Sequence, residues 1–382
     1  MKKYLLIFYC TLSFFMEAQS GVTYLDSIIS NGIKRKFRLY VPLSYNAGTA
    51  APLVFNLHGY GSNAVQQQGY ANFMPIADTA KFLVVSPDGT GSSTSQYWNA
   101  GFGAGPNDVL FLSDLIDSIK LTYNIDNNSI YSCGMSNGGI MSYYLACNLP
   151  NRIAAIASVT GSMLNAWYTC APSRHFPVME THGTLDGTVP YNGDGTFAPI
   201  DSVVKKWRVH NNCGVTPITY SVPNINTFDN STAVNYKYTG GTNGSSVELY
   251  KVTGGSHSWP GATPIISNTN QDFKASIEIW RFFRQYKLNQ FITGVGLNTF
   301  NKNNIGVSIY PNPSSDKLII ESELLNALSV IQIINSFGEI IYSTEIKTVP
   351  ITTIDIKFLI NGVYFLNLKT GNNFVTKKFI KI

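Results

Sequence analysis

Short runs of β-branched and aromatic residues alternate with longer amphipathic stretches over the first 290 residues of the chain. The spacing of Leu112, Leu115, Ile116 and Ile119 predicts an amphipathic helix over 107–123. Strands are predicted at 36–42, 52–57, 82–89, 130–133, 153–159, 176–181, 235–239 and 247–252, and further helices at 140–146, 201–211 and 271–288. This alternation is typical of a mostly parallel sheet with helices on both faces, so we predict an α/β fold. Its reactive groups should gather at the carboxyl ends of the strands.

The turn between 130–133 and 140–146 has the sequence Gly134-Met135-Ser136-Asn137-Gly138. A serine on so tight a strand–turn–helix connection sits in strained backbone, and the two glycines let strand and helix pass close together. Its hydroxyl then projects at the N-terminus of the helix, where developing negative charge is favoured. The pattern predicts that Ser136 is a nucleophile.

Two later strand ends carry residues that complete a Ser-His-Asp arrangement. Asp186 follows a predicted strand in a loop closed by glycine and proline, and we predict that it is the acid. Of five histidines, only His257 lies downstream of a candidate aspartate in a glycine loop at a strand end, and we predict that it is the base. Three rival aspartates do not follow a buried strand so closely: Asp194, Asp201 and Asp229. The order Ser136, Asp186, His257 is the order found in α/β-hydrolases.

Other residues are predicted to serve this chemistry. The strand 52–57 runs into His58-Gly59-Tyr60, where an α/β-hydrolase supplies its second oxyanion donor. We therefore predict that the backbone N–H groups of Tyr60 and Asn137 stabilise the oxyanion. Trp98 and Trp259 are predicted to line the acyl or sugar pocket, with a buried structural role as the alternative. The chemistry implies no metal and no organic cofactor.

Composition and charge limit the class of protein. Apolar residues make up 44% of the chain and charged residues 13%, as in a globular protein with a large core. The net charge of +5 is spread out, and the densest basic run, Lys34-Arg35-Lys36, alternates into a strand. This indicates a solvated strand face, and we predict no nucleic-acid partner.

The N-terminus has the features of an export signal. Met1-Lys2-Lys3 precedes a short apolar run that reaches Phe15, and small residues follow at Ala18 and Ser20. This predicts a signal peptide over 1–20, and no later stretch is long and apolar enough to be a transmembrane segment.

Export permits disulfide bonds, and four cysteines remain once the signal is removed. They allow three pairings, among which the sequence does not choose. We favour a bridge from Cys170 to Cys147 or Cys213, with Cys133 as a buried free thiol.

Several short motifs together resemble the extracellular polyhydroxybutyrate depolymerase-like and feruloyl esterase family of α/β-hydrolases, which is carbohydrate esterase family one in the broad sense. They are Leu57-His58-Gly59, Tyr97-Trp98-Asn99, Gly134-Met135-Ser136-Asn137-Gly138-Gly139, His182-Gly183-Thr184 with Asp186, and Gly255-Ser256-His257-Ser258-Trp259-Pro260-Gly261. The resemblance covers about 24–288 and implies the same roles for Ser136, Asp186 and His257. Ser256 departs from the family, in which relatives often have a third glycine.

The C-terminal part of the chain is different. A linker rich in Gly, Asn and Thr is predicted at 289–305, and short alternating strands over 306–382 predict a small all-β, immunoglobulin-like sandwich. Tyr310-Pro311-Asn312-Pro313 and the closing Lys377-Lys378-Phe379-Ile380-Lys381 resemble the C-terminal sorting domain of the type IX secretion system. This implies the secretion machinery as a partner. A carbohydrate-binding module is the rival interpretation, but all five tryptophans precede the linker.

These observations predict an extracellular serine esterase, released or held at the cell surface. The resemblance favours feruloyl or acetyl esters on plant xylan as substrate, with polyhydroxyalkanoate as the alternative. A non-catalytic glycan-binding surface protein is the alternative from another class, and the complete set of Ser136, Asp186 and His257 argues against it.

Overall fold

A ten-stranded sheet crosses the first of two units, Met1–Thr293 and Gly294–Ile382, into which the chain divides. The computed structural model describes residues 21–92, 95–103, 105–265, 268–291, 307–322, 329–335, 340–346, 351–370 and 373–382. The predicted signal peptide and nearly all of the predicted linker lie outside these residues. The division between the units falls within that linker. The predicted domain bounds stay predictions.

The strands of the first unit alternate with helices along the chain. They are β1 (Val22–Ser30), β2 (Ile33–Val41), β3 (Ala51–Leu57), β4 (Leu83–Pro87), β5 (Thr90–Ser92), β6 (Ser95–Tyr97), β7 (Ile125–Met135), β8 (Ala155–Val159), β9 (Val178–Gly183), β10 (Ile218–Ser221), β11 (Thr232–Tyr238) and β12 (Val247–Thr253). The helices are α1 (Ala64–Ala71), α2 (Met74–Ala80), α3 (Asp108–Thr122), α4 (Asn137–Asn148), α5 (Ile200–His210) and α6 (Ala275–Phe283). None of these helices is long and apolar enough to cross a membrane.

The strand order is β1-β2-β4-β3-β7-β8-β9-β12-β11-β10, and β5 pairs separately with β6. The six central strands from β4 to β12 run parallel to one another. The two outer strands at each edge pair antiparallel with their neighbours. The predicted mostly parallel sheet is therefore confirmed, and the carboxyl ends of the central strands lie along one side.

Helices cover both faces of this sheet. In β3, Leu53, Phe55 and Leu57 join the core that includes α3, α4 and α5, whereas Val54 joins the core that includes α2 and α6. This alternation follows from the two-residue period of a strand whose two faces are both buried. A polar contact lies on the face covered by α3, α4 and α5, where Arg35 forms a buried ion pair with Asp108 at 2.7 Å. The prediction of a solvated strand face is therefore wrong for Arg35.

Some predicted elements differ from the structure. The helix predicted at 271–288 is shorter, because α6 covers only Ala275–Phe283. Its buried face contains Ile279, Phe282 and Phe283, whereas Ile277 is 47% exposed. The strand β1 and the helices α1 and α2 were not predicted. Most of β1 is exposed, and α1 consists mainly of glutamine, alanine and glycine, so neither has a clear apolar period.

The second unit is all-β, as predicted. Its strands are β13 (Val307–Tyr310), β14 (Lys317–Ser322), β15 (Ser329–Asn335), β16 (Ile340–Ile346), β17 (Ile351–Asp355), β18 (Gly362–Thr370) and β19 (Asn373–Lys381). They form two antiparallel sheets, ordered β13-β14-β17 and β16-β15-β18-β19. One core joins the sheets, with Leu318 and Ile320 from the first and Ile331, Ile333 and Leu366 from the second. This is the layering of a small sandwich.

One disulfide bond closes a loop of the first unit. Cys147, near the end of α4, is bonded to Cys170, and 23 positions separate them. Cys133 and Cys213 are buried free thiols. The structure thus selects Cys147 from the two partners considered for Cys170, and it confirms Cys133 as free.

Removing this bond is expected to destabilise the first unit. A loop of this length predicts a loss of about 3 kcal/mol in the free energy of unfolding of Cys147→Ala/Cys170→Ala, because the unfolded chain regains loop entropy. Denaturant unfolding monitored by tryptophan fluorescence measures the change. Cys213→Ala is the control for loss of a cysteine without loss of a bridge. Equal stabilities of the double variant and the wild type under oxidising conditions would contradict the prediction.

Candidate active site

The turn from β7 to α4 places Ser136 in a backbone conformation that few side chains adopt. Its φ is 53° and its ψ is −119°. The flanking glycines are required by close backbone contact, because a Cβ on Gly138 would lie 2.2 Å from the carbonyl oxygen of Leu57. A Cβ on Gly134 would lie 2.6 Å from that same oxygen. Packing against the end of β3 therefore maintains the strained backbone of Ser136, as expected of a nucleophile elbow.

Asp186 and His257 meet at the carboxyl ends of β9 and β12. His257 Nδ1 donates to Asp186 Oδ2 at 2.7 Å. The other carboxylate oxygen, Oδ1, accepts the backbone N–H groups of Thr188 and Val189, both at 2.9 Å. Burial raises the pKa of Asp186, but hydrogen bonds and charges from His182 and His257 outweigh burial and hold that pKa well below its usual range. Asp186 is therefore an ionised acceptor that orients the His257 ring.

Ser136 and His257 line the same cavity, which has a volume of about 620 Å³. Its other lining residues come chiefly from the loop after β3, from α1 and from a loop after β12: Gly59, Tyr60, Ser62, Val65, Gln66, Gln67, Gly69, Tyr70, Met135, Thr263 and Pro264. The wall that α1 contributes was missed, because that helix was not predicted. Of the predicted site residues, Ser136, His257 and Tyr60 line the cavity directly, and Asp186 lies behind His257.

Two segments of the chain lie beside Ser136. Asn137 is the first residue of α4, so its N–H has no acceptor within the helix, and the helix dipole adds positive potential there. Gly59 approaches Ser136 closely, since a Cβ on it would lie 3.4 Å from that of the serine, and Tyr60 follows it directly. This arrangement has the form of an oxyanion hole built from two separate segments.

Trp98 connects these two segments. Its backbone N–H donates to Asn137 Oδ1 at 2.6 Å, and Asn137 Nδ2 donates to the Trp98 carbonyl oxygen at 3.1 Å. Its indole N–H donates to the carbonyl oxygen of His58 at 2.9 Å. Burial lowers the pKa of His58, whose Nε2 accepts the N–H of Gly89 at 2.9 Å. Trp98 therefore holds the start of α4 and the end of β3 in a fixed relation.

Trp98 and Trp259 are too deeply buried to make the predicted contacts with substrate. Their side chains are 0% and 1% exposed, and neither lines the cavity. Trp259 packs against Phe73, and its indole N–H donates to Ser276 Oγ at 3.1 Å. Both residues are structural, which was the alternative considered from the sequence. Tyr60 and Tyr70 are the aromatic side chains that line the cavity.

Comparisons with known proteins agree with this fold. Residues 106–213 match the phospholipase/carboxylesterase family, and residues 308–382 match the secretion system C-terminal sorting domain. An acetyl xylan esterase from Aspergillus awamori has a similar structure, with a TM-score of 0.50 at 14% identity, over 68% of this chain and 99% of that chain. The first unit thus has the α/β-hydrolase fold, as predicted.

Two curated relatives indicate which kinds of esterase the chain resembles. The chain is 29% identical over 266 residues to a bifunctional acetylxylan esterase/xylanase from Neocallimastix patriciarum, covering 69% of this chain and 35% of that protein. It is 30% identical over 236 residues to feruloyl esterase B from Piromyces equi, covering 58% and 42%. The chain therefore spans less than half the length of these two relatives. The predicted resemblance is therefore confirmed: the chain is similar to feruloyl and acetylxylan esterases, and its residues 308–382 match a sorting domain.

Trp98→Phe is expected to weaken the oxyanion arrangement without unfolding the chain. The variant loses the indole N–H that holds the His58 carbonyl, so Tyr60 is positioned less exactly. We expect the second-order rate of Ser136 modification by a serine-directed fluorophosphonate, followed by mass spectrometry, to fall about tenfold.

Trp207→Phe is the matched control for this variant. Trp207 is also fully buried, and its indole nitrogen has no hydrogen-bond partner among the described residues, so the substitution removes equal ring volume but no hydrogen bond. Equal modification rates in the two variants would show that the Trp98 hydrogen bond does not support the site.

Proposed function

We propose that this protein is an exported serine esterase that hydrolyses feruloyl or acetyl esters on plant xylan. One observation carries the proposal. Ser136, on its strained turn, and His257, oriented by Asp186, line the same cavity. The relationship to carboxylic ester hydrolases supports the same reaction class. A glycan-binding protein without activity would not need this arrangement.

In the proposed mechanism, His257 accepts the proton of Ser136 as the serine oxygen attacks the ester carbonyl. Asp186 keeps the ring in the tautomer that carries its proton on Nδ1, and it stabilises the imidazolium that forms. The N–H groups of Tyr60 and Asn137 donate to the oxyanion. His257 then protonates the leaving alcohol, and a water molecule hydrolyses the acyl-enzyme by the reverse sequence of proton transfers.

The proposed substrate rests on the relatives and on the cavity. The two relatives described above are named as an acetylxylan esterase/xylanase and a feruloyl esterase. A volume of about 620 Å³ suits a small aromatic or acetyl ester with part of its sugar. The Tyr60 and Tyr70 rings line the cavity, and the Tyr60 ring lies 6.0 Å from the ring of Tyr97. These rings give a planar acyl group or a sugar face surfaces on which to pack.

Export is the remaining part of the proposal. The match of residues 308–382 to a secretion system C-terminal sorting domain supports recognition by the secretion machinery. The predicted signal peptide would bring the chain to that machinery. An extracellular or cell-surface location suits a polymeric substrate, which does not enter the cell intact.

Ser136→Ala tests the nucleophile. We expect hydrolysis of p-nitrophenyl acetate to fall at least about 1000-fold, because no acyl-enzyme can form. Circular dichroism should show an unchanged fold. Ser202→Ala on α5 controls for loss of a serine hydroxyl elsewhere and should retain full activity. Retention of activity by Ser136→Ala would remove the serine mechanism.

The substrate class is tested by mass-resolved hydrolysis of an arabinoxylan oligosaccharide set that bears ferulate and acetate, beside a hydroxybutyrate oligomer. We expect release of ferulate or acetate, because the cavity has aromatic walls and the named relatives act on such esters. Cleavage of the hydroxybutyrate oligomer alone would keep the mechanism and assign the protein to polyester degradation. The Ser136→Ala variant measures the background reaction for each substrate.

A further inference from the structure

A chain of buried polar groups continues behind Asp186, away from the cavity. His182 Nε2 lies 3.3 Å from Asp186 Oδ2 and 2.8 Å from the carbonyl oxygen of Val189. His182 Nδ1 lies 3.0 Å from Glu180 Oε1. Tyr143 Oη of α4 donates to Glu180 Oε2 at 2.9 Å. The Tyr143, Glu180 and His182 residues are 0% exposed, so no solvent shields these charges.

The neighbours of His182 determine which of its nitrogens carry protons. The carbonyl oxygen of Val189 and the ionised Asp186 can only accept, so Nε2 must carry a proton. On the other side, Nδ1 faces Glu180 Oε1. Either Nδ1 is also protonated and Glu180 is ionised, or the proton lies on Glu180 and the ring is neutral. The Glu180–His182 pair therefore always holds one proton beyond the Nε2 proton.

The surroundings favour the proton on His182. Burial lowers the pKa of His182, but the hydrogen bonds and charges of Asp186 and Glu180 outweigh burial and raise it to about 9. Burial raises the pKa of Glu180, and the contacts of His182, Ser158 and Tyr143 oppose that rise without cancelling it. A cation between two carboxylates compensates both of them, whereas a neutral ring would leave Asp186 with less support.

We propose that His182 is a positioning residue, a buried imidazolium ion between Glu180 and Asp186 that holds the acid in place and moderates its pull on His257. The proposal rests on the proposed function, in which Asp186 orients the base. Because Asp186 interacts with His182 as well as with His257, it stabilises a charged His257 less than an unshared carboxylate would.

Other ionisable groups near His182 are engaged in contacts of their own. Tyr191 packs edge-on against the His182 ring, and its hydroxyl donates to Asp201 of α5 at 2.6 Å. Lys251 of β12 lies 4.8 Å from the centre of the Tyr191 ring. The adjacent strand β8 carries no ionisable side chain. Among these groups, only Glu180 and Asp186 contact a ring nitrogen of His182.

The test uses Glu180→Gln in the full-length chain. Glutamine has nearly the same shape, its amide can donate to His182 Nδ1, and its oxygen can accept from Tyr143, so the hydrogen bonds survive while the charge is lost. His182 then becomes neutral. The variant loses the positive charge of His182, next to Asp186, and the negative charge of Glu180, which lies farther from Asp186. Loss of the nearer, positive charge has the larger effect on His257. The acid limb of the kcat/KM profile should therefore move upward by about 0.5 pH unit.

Two measurements follow this change. NMR of ¹⁵N-labelled histidine, assigned with single histidine substitutions, should show two ring N–H groups on His182 at pH 7 in the wild type and one in Glu180→Gln. The same spectra give the His257 titration midpoint. The acid limb of the kcat/KM profile for p-nitrophenyl acetate should move upward by the same amount as that midpoint. Glu248→Gln is the control, because Glu248 also forms a buried ion pair, with Arg281, but does not contact Asp186.

The outcomes separate the two proposals. A singly protonated His182 in the wild type at pH 7, or an unchanged His257 midpoint in Glu180→Gln, overturns the proposed role of His182. An equal shift in Glu248→Gln would also overturn it, because the effect would then follow from any buried charge loss. Lack of ester turnover by the wild type would contradict the proposed function, and the NMR midpoints would still decide the charge and influence of His182.

Discussion

The site depends on one close backbone contact, between the end of β3 and the turn that joins β7 to α4. Gly138 and Gly134 both lie so close to the Leu57 carbonyl that no side chain fits. This contact holds Ser136 in its strained conformation. It also brings the loop after β3 beside the start of α4, so the same packing sets the two segments of the proposed oxyanion hole. The proposed nucleophile and the proposed oxyanion donors therefore depend on one contact.

Much of this site could be predicted because its residues stand at strand ends. Parallel strands bring their carboxyl ends to one side of a sheet, so Ser136, Asp186 and His257 could be grouped from local sequence alone. The same reasoning predicted the parallel sheet, whose buried strands have a strong apolar signal. It missed α1 and β1, because an exposed edge strand and a glutamine-rich helix carry little periodicity. The contribution of α1 to the cavity wall was therefore not predicted either.

The tryptophans show a different limit. Trp98 and Trp259 lie within the motifs that predicted the site, and nearness in sequence suggested contact with substrate. Burial is decided by residues far along the chain: Trp98 stacks with Phe111 of α3, and Trp259 packs against Phe73 before α2. No local pattern contains these contacts. The hydrogen bond from the Trp98 indole to the His58 carbonyl oxygen nevertheless explains why a tryptophan suits that motif.

Buried charges in this unit are of two kinds. Arg35–Asp108 is an ion pair on one face of the sheet, and on the other face Glu248 pairs with both Arg281 and Lys237. Such pairs add little net stability, because desolvation offsets their attraction. The Glu180–His182–Asp186 cluster has two carboxylates for one imidazole and ends at His257. A second carboxylate-linked ring beneath the acid costs desolvation. Glu180, His182 and Asp186 all lie within one strand and its following loop, and the Tyr143–Glu180 hydrogen bond links them to α4. The arrangement of this cluster is better explained by control of the acid's charge than by stability.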